Sequence, residues 1–358
     1  MAYWPYPAQG PSPKSVQLTA NPTSAVQESA LLDRAAAFPK FQSLSDLSAE
    51  NLREISITHG VEFATALLYN RVKRSPPHSD FINKIEQEPP SLFKTARRDV
   101  CVAVVPAAFY KQAPNAGGDG KVVLEAANHL GFGAELIPVS STGTLEENAN
   151  SILDWLAKHN NQKVILVSLC KGGADVKFAL GRPNAWENFR NVSSWINICG
   201  ILNGSPVAEW LLGSRPRFFI AWLYCKCRGH NLGFIRELQC SPSGPLSRPL
   251  KLPASIGLIN IVGFPLKRHL TNRFMRLCYQ RISSLGPNDG GMLLAGLCSL
   301  PGVIYPVWGA DHYLRPESRA RQIISTLLQH LAAAGSWEEP YSGHEIPAID
   351  RNVQTTSA

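Results

Sequence analysis

The chain has 358 residues, 44% of them hydrophobic, which suffices for a large buried core and excludes a disordered or fibrous protein. Its formal charge is +8, with scattered basic residues and one concentration at Arg215, Arg217, Lys226 and Arg228; no nucleic-acid motif accompanies them, so nucleic acid is not an expected partner. No apolar run reaches the roughly 18 residues of a membrane span, and FFIAWLY at 218–224 is short and flanked by Arg and Lys, which leaves only peripheral contact with a membrane open.

Residues 1–27 are rich in Pro, Ser, Ala and Gln and read as a flexible tail. They lack a basic stretch followed by an apolar run, so no secretory signal is read. The eight cysteines lie at 101, 170, 199, 225, 227, 240, 278 and 298, several of them inside apolar runs. A reducing, cytoplasmic setting is the expectation. Cys225, Cys227, His230 and Cys240 are close in sequence, but their spacing fits no common zinc pattern, and neither a metal nor another cofactor is expected.

Residues 28–98 read as an N-terminal helical extension. SDLSAENLREIS offers Ser45 or Ser48 as an N-cap, and GVEFATALLYNRV continues at helical spacing until SPPHSD and EQEPP break it. From residue 99 the chain changes character. VCVAVVPAAFY (100–110) is a buried strand, and KVVLEAANHLG is an amphipathic helix closed by Gly131. AELIPVSS is the second strand, and TLEENANSILDWLAKH is a helix capped by Thr144. KVILVSL is the third strand, KGGADVKFALG the next helix, and SSWINICGILNGSP a strand running into a turn. Strict alternation of unbroken apolar strands with helices predicts an α/β fold, a mostly parallel sheet with helices on both faces. Residues 206–250, holding Trp210, Trp222 and the basic cluster, read as an inserted cap over the C-terminal edge of that sheet. IGLINIVGF (256–264) and GVIYPVWG (302–309) resume as strands, and PESRARQIISTLLQHLAAAG closes the 99–335 domain. Residues 336–358 read as a loose tail.

The chemistry centres on VSLCKGGAD, residues 167–175. A strand meeting a helix at one reactive side chain makes a turn so tight that the positions two before and two after that residue must be small. Around Cys170 these are Ser168 and Gly172, and Gly173 gives further room for helix–strand packing. Ser168 itself is rejected as the nucleophile because Leu166, two residues earlier, is too large. Asp175 is expected on the following helix, holding a loop or facing solvent.

A nucleophile needs a base, and the base needs an orienting acid. VWGADHYLRP places His312 just after the last apolar strand, and GPNDGGML places Asp289 in the Gly-rich loop before it. Asp311 competes for the acid role, but adjacent side chains rarely aim at each other, so Asp289 is preferred.

These motifs, in this order over about 99–332, resemble the α/β-hydrolase superfamily on its lipase and esterase side. VSLCKGGA resembles the nucleophile elbow, ILNGSPVAEWL the turn after the next strand, PNDGG the acid loop and GADHYL the histidine loop. The resemblance implies a Cys170–His312–Asp289 triad. It implies an oxyanion hole from the N–H of Lys171 and one from Ala107 or Ala108. Cysteine where most members have serine resembles dienelactone hydrolases and polyhydroxyalkanoate synthases. A thiolate beside a histidinium at a helix N-terminus is a competent acyl acceptor.

The expected function is hydrolysis of an ester or thioester of moderate apolar size, with a small or lipid-like acyl substrate as the partner. An acyltransferase and a catalytically silent binding protein are the rivals. Phe109, Phe218, Phe219 and Trp222 are read as walls of the acyl pocket, against the plainer reading of the insertion as an amphipathic packing element.

Overall fold

A computed structural model describes residues 22–87, 99–113, 116–227 and 232–333. The first 21 residues and those from 334 onward, including most of the two expected tails, lie outside that set, as do Arg228 and His230.

Among the described residues four helices come first: α1 (Pro22–Ala36), α2 (Ala49–Thr58), α3 (Val61–Arg74) and α4 (His78–Gln87). The first begins six residues before the boundary read from the sequence, with proline in its first turn where the missing N–H is no loss. Ser48, not Ser45, caps α2, its Oγ accepting from Asn51 N at 3.1 Å. SPPHSD does end α3, and it also starts α4.

The core alternates as expected: β1 (Val100–Val105), α5 (Lys121–His129), β2 (Gly133–Leu136), α6 (Leu145–Lys158), β3 (Lys163–Leu169) and α7 (Lys171–Leu180). It continues with α8 (Ala185–Phe189), β4 (Val192–Ile198), and the cap helices α9 (Pro206–Leu212), α10 (Arg215–Lys226) and α11 (Gly233–Glu237). Then come β5 (Gly257–Phe264), α12 (Arg273–Ile282), β6 (Val303–Trp308) and α13 (Glu317–Ala333). Thr144 closes a capping box with Glu147 at the start of α6. The β1 run ends at Val105, because Pro106 cannot continue the ladder.

The six strands of the described residues are all parallel, in the order β2-β1-β3-β4-β5-β6. Side chains alternate between two apolar layers. Val100, Val102 and Val104 join the layer holding α5 and α13, while Cys101, Ala103 and Val105 join the layer holding α6, α7 and α8.

The N-terminal helices pack on the β6 edge of this sheet, with α3 against β5 and β6 and α4 against β6 and α13. Tyr69 stacks edge-on to Phe264, and its ring lies 5.1 Å from that of Trp308. The edge itself is covered chemically: Ile304 N donates to His78 Nδ1 at 3.2 Å, using a backbone donor that an edge strand would otherwise leave open. Buried Arg71 fastens the preceding loop, donating to the carbonyls of Phe41, Phe38 and Ala35.

Candidate active site

Cys170 stands between β3 and α7 at φ 51°, ψ −116°, a backbone region in which any side chain is strained. The turn is held on both sides. Cys170 N donates to Ile198 O at 3.1 Å, while its carbonyl accepts from Gly173 N at 3.1 Å and Ile201 N at 2.9 Å. A Cβ on Gly172 would lie 2.4 Å from Val105 O, and one on Gly173 would lie 2.6 Å from Asn197 Oδ1. Both glycines are therefore demanded by close approach.

Ser168 does more than stay small. Its Oγ donates to Asn197 Oδ1 at 3.0 Å and accepts from Trp195 Nε1 at 2.8 Å. Asn197 Nδ2 donates to Asn260 Oδ1 at 3.0 Å, and Asn260 Nδ2 to Pro301 O at 3.2 Å. A buried polar chain thus crosses β3, β4 and β5 beneath the elbow.

His312 and Asp289 meet, both buried, with Nδ1 2.7 Å from Oδ2. The other carboxylate oxygen of Asp289 accepts from Gly291 N and Met292 N, each at 2.8 Å, which fixes the acid in its loop. Burial opposes charge on His312, yet the Asp289 carboxylate and then the Cys170 sulfur hold its pKa well above the ordinary value. Nε2 is buried and has no hydrogen-bond partner among the described residues. Gly291 is a contact the sequence did not reveal: a Cβ there would come within 2.6–2.8 Å of three atoms of the imidazole ring. Asp311 is spent on its own turn, accepting from Tyr313 N, Arg315 N and Arg315 Nε.

A second thiol lies close by. Cys199 Sγ, a carboxylate oxygen of Asp289 and a ring nitrogen of His312 all fall within 4.8 Å of one another, a set that could approach one cation. Asp289 and His312 are already bonded to each other, and burial, reinforced by the Asp289 charge, pushes the Cys199 thiol well above its ordinary value. A protonated thiol is a poor metal ligand. Cys199 accepts from Gly263 N at 3.4 Å and is not among the cavity-lining residues, whereas Cys170 is.

Of the expected oxyanion donors, Ala107 is corrected. Its N–H donates to Gly118 O at 2.8 Å and is not free to bind a substrate. Phe109 N is likewise committed to Ser141 O. Ala108 lines the cavity, and Lys171 opens α7, where its N–H has no intrahelical acceptor.

The cavity, about 170 Å³, is bounded by Cys170 and His312 below and by cap residues such as Leu211, Ala221 and Phe234 above. Phe109 lines it and meets Phe234 edge-on at 5.6 Å. Phe218, Phe219 and Trp222 do not line it. Helical phase turns Ala221 and Cys225 inward, leaves Phe218 packed beside the core under Arg236, and sends Phe219 and Trp222 to solvent.

Asp175 does not face solvent. It is buried in an ion pair with Lys171, Oδ1 to Nζ 2.6 Å, and accepts from Asn148 Nδ2 at 2.9 Å. Burial pushes its carboxyl up to about 6 against the pull of Lys171. Sequence spacing could have flagged the pair, since residues 171 and 175 are four apart on one helix.

No protein-family model matches this chain, and no curated protein does. Among solved structures it is similar to a metagenomic carboxyl esterase, with 17% identity over 69% of this chain and 80% of that one, at a TM-score of 0.52. It also aligns with the mature form of a lipase from Bacillus licheniformis (18% identity, 69% and 95% covered, TM-score 0.45). A third is an esterase from Butyrivibrio proteoclasticus with bound ferulic acid (11% identity, 67% and 93% covered, TM-score 0.43). The architecture is that of the α/β-hydrolase fold.

Proposed function

We propose that the chain is a hydrolase of acyl esters or thioesters that works through an acyl-enzyme on Cys170. One observation carries the reading. Cys170 and His312 border the same apolar cavity, and Asp289 stands behind His312 at 2.7 Å. The fold shared with a carboxyl esterase supports ester hydrolysis as the reaction class.

In this reading Cys170 Sγ attacks the substrate carbonyl carbon. The C–S bond forms as an electron pair moves onto the carbonyl oxygen. His312 holds the thiol proton and delivers it to the departing alcohol or thiol as the tetrahedral intermediate collapses. Water then attacks the Cys170 thioester, giving its proton to His312, and the acid leaves as the thiol is restored. Asp289 keeps Nδ1 protonated and so aims Nε2 at the reacting atoms. The N–H groups of Lys171 and Ala108 receive the oxyanion. The largely apolar cavity walls favour an acyl group of moderate size.

The test is hydrolysis of activated acyl esters and acyl thioesters of graded chain length, by wild type and Cys170→Ala, with intact mass read for an acyl adduct. Turnover lost by at least about 10⁴-fold in the variant, with an adduct mapped to Cys170 in the wild type, is the expected result. An unchanged rate in the variant overturns the assignment of the nucleophile.

A further inference from the structure

We propose that the outer face of the cap is a docking surface for an anionic lipid bilayer. Two independent features lead there, one of charge and one of shape.

Residues 206–283 hold twelve Lys or Arg and two acidic residues, a local net charge of +10 in a chain whose total is +8. The rest of the molecule is therefore slightly acidic, and the basicity of the protein is a property of this stretch, the cap together with β5 and α12. Among the described residues only Arg268 of these cations forms an ion pair, with Glu28 at 3.2 Å. One of the two acids, Glu237, is occupied in accepting from Leu145 N at 2.7 Å. Arg215 and Lys226 mark the ends of α10 and are exposed, as are Arg273, Arg276 and Arg281 of α12, a helix that packs on α9 beside α10.

Between Arg215 and Lys226, α10 turns Phe219, Ile220, Trp222 and Leu223 to solvent at 57, 45, 36 and 46% exposure. Nine large apolar side chains are exposed among the described residues, and this one helix of twelve residues carries four of them. Phe219 and Trp222 stack at 5.8 Å, and Lys226 Nζ lies 4.6 Å from the Trp222 ring centre. On the opposite side of the same helix Ala221 and Cys225 line the cavity. The helix is apolar inward because it covers the cavity, and that does not account for its apolar outer face.

Aromatic and aliphatic residues flanked by Lys and Arg on an exposed helix suit the boundary between headgroups and acyl chains, where the rings insert and the cations meet anionic headgroups. Nucleic acid would use the cations and stack on the rings but has no use for Ile220 and Leu223. A second copy docked through the same face would set Arg215 and Lys226 of one α10 against those of another, and like charges oppose that contact. A bilayer satisfies both features together, and it would place the cavity one helix below the lipid surface.

Docking requires no turnover, so it is tested apart from the chemistry. The full-length protein is sedimented with vesicles of phosphatidylcholine and with equimolar phosphatidylcholine and phosphatidylglycerol, in wild type and Cys170→Ala alike. The expected partition onto anionic vesicles is at least about tenfold above that onto neutral ones, and it weakens in high salt. The double variant Phe219→Ser/Trp222→Ser lowers it about tenfold or more through the apolar face, and the charge reversal Arg273→Glu/Arg281→Glu lowers it through the charge. Val26→Ser, which changes an exposed apolar residue far from the cap in sequence, leaves it unaltered. Equal binding to both vesicles, or anionic binding that survives both the α10 and the α12 variants, overturns the proposal. So does self-association through α10 in place of vesicle binding, read by light scattering. Cys170→Ala that docks like the wild type but does not turn over separates the two readings.

Discussion

The molecule carries two helical additions to its parallel sheet, and they spend their apolar residues differently. The N-terminal helices point theirs inward: α3 buries Phe63, Leu67, Leu68 and Val72 in an apolar layer shared with its neighbouring helices and the sheet, and His78 and Arg71 fasten the surrounding backbone. The cap is apolar on both sides of α10, with Ala221 and Cys225 toward a cavity and Phe219 and Trp222 toward solvent. Both regions are helices rich in apolar residues, but α3 buries its apolar face and α10 carries apolar residues on both faces. What separates them is whether the apolar face meets a filled core or a space left open. The first addition belongs to stability, and the second to whatever enters or touches the molecule.

That division is breakable by mutation. The largest effect is expected at the site itself: Asp289→Asn lowers kcat/KM on the order of 10³-fold with the fold retained, because His312 loses the charge that holds its pKa up and the acceptor that orients it. Steady-state kinetics alongside a thermal melt checks both halves. Leu67→Ala reverses the pattern. It opens a cavity in a fully buried position and costs about 3 to 4 kcal/mol, roughly 5 °C in Tm, while turnover below the melt is unchanged. A fall in kcat with intact fold would erase the distinction between the two regions.

Acid should act on the N-terminal region. Burial depresses His78 from 6.5 to about 4, so the unfolded chain takes up that proton first. The stability His78 confers is complete above pH 6.5 and is lost as pH falls toward 4, by about 3 kcal/mol. Denaturant titrations across that window should show the slope, and His78→Asn, which keeps an acceptor near Ile304 N but no titrating ring, should flatten it. A smaller effect is expected at the elbow: Cys170→Gly melts above Cys170→Ala, by about 1 kcal/mol, since glycine relieves the φ of 51°. Smallest of all, Phe219→Ser/Trp222→Ser shifts unfolding free energy by no more than about 0.5 kcal/mol, because neither ring supports the core.

Much of this was legible in the sequence where local pattern decides. The β-branched runs gave every strand but β2, Gly133–Leu136, which has no β-branched residue and stops at Leu136 although the expected run extended to Ser141; Thr144 gave its cap, and the small residues around Cys170 gave the turn. The helix over Arg273–Ile282 is not among the elements read from the sequence: Met275, Cys278, Tyr279 and Ile282 keep helical spacing, but three arginines and Gln280 break up the apolar stripe. Other features depend on what the fold brings near. The Ala107 N–H is spent on Gly118, Gly291 exists to admit an imidazole face, and Cys199 arrives beside Asp289; none has a sequence neighbour that would announce it. On α10 helical phase, not bulk, decides the pocket wall: Phe219 and Trp222 face solvent, and the small residues, Ala221 and Cys225, leave room.

The buried polar chain from Trp195 through Ser168, Asn197 and Asn260 to Pro301 has a consequence for assembly of the sheet. Apolar strands slide past one another at little expense, because valine and isoleucine fit many neighbours. Ser168 lies opposite Asn197, and Asn197 opposite Asn260, only in the native alignment of β3, β4 and β5. A slip of β4 would strand these groups in a dry interior at about 1–3 kcal/mol each. The chain works as a vernier on three otherwise featureless strands. It sets the height at which β3 ends, and so the level at which the sulfur emerges to meet its histidine.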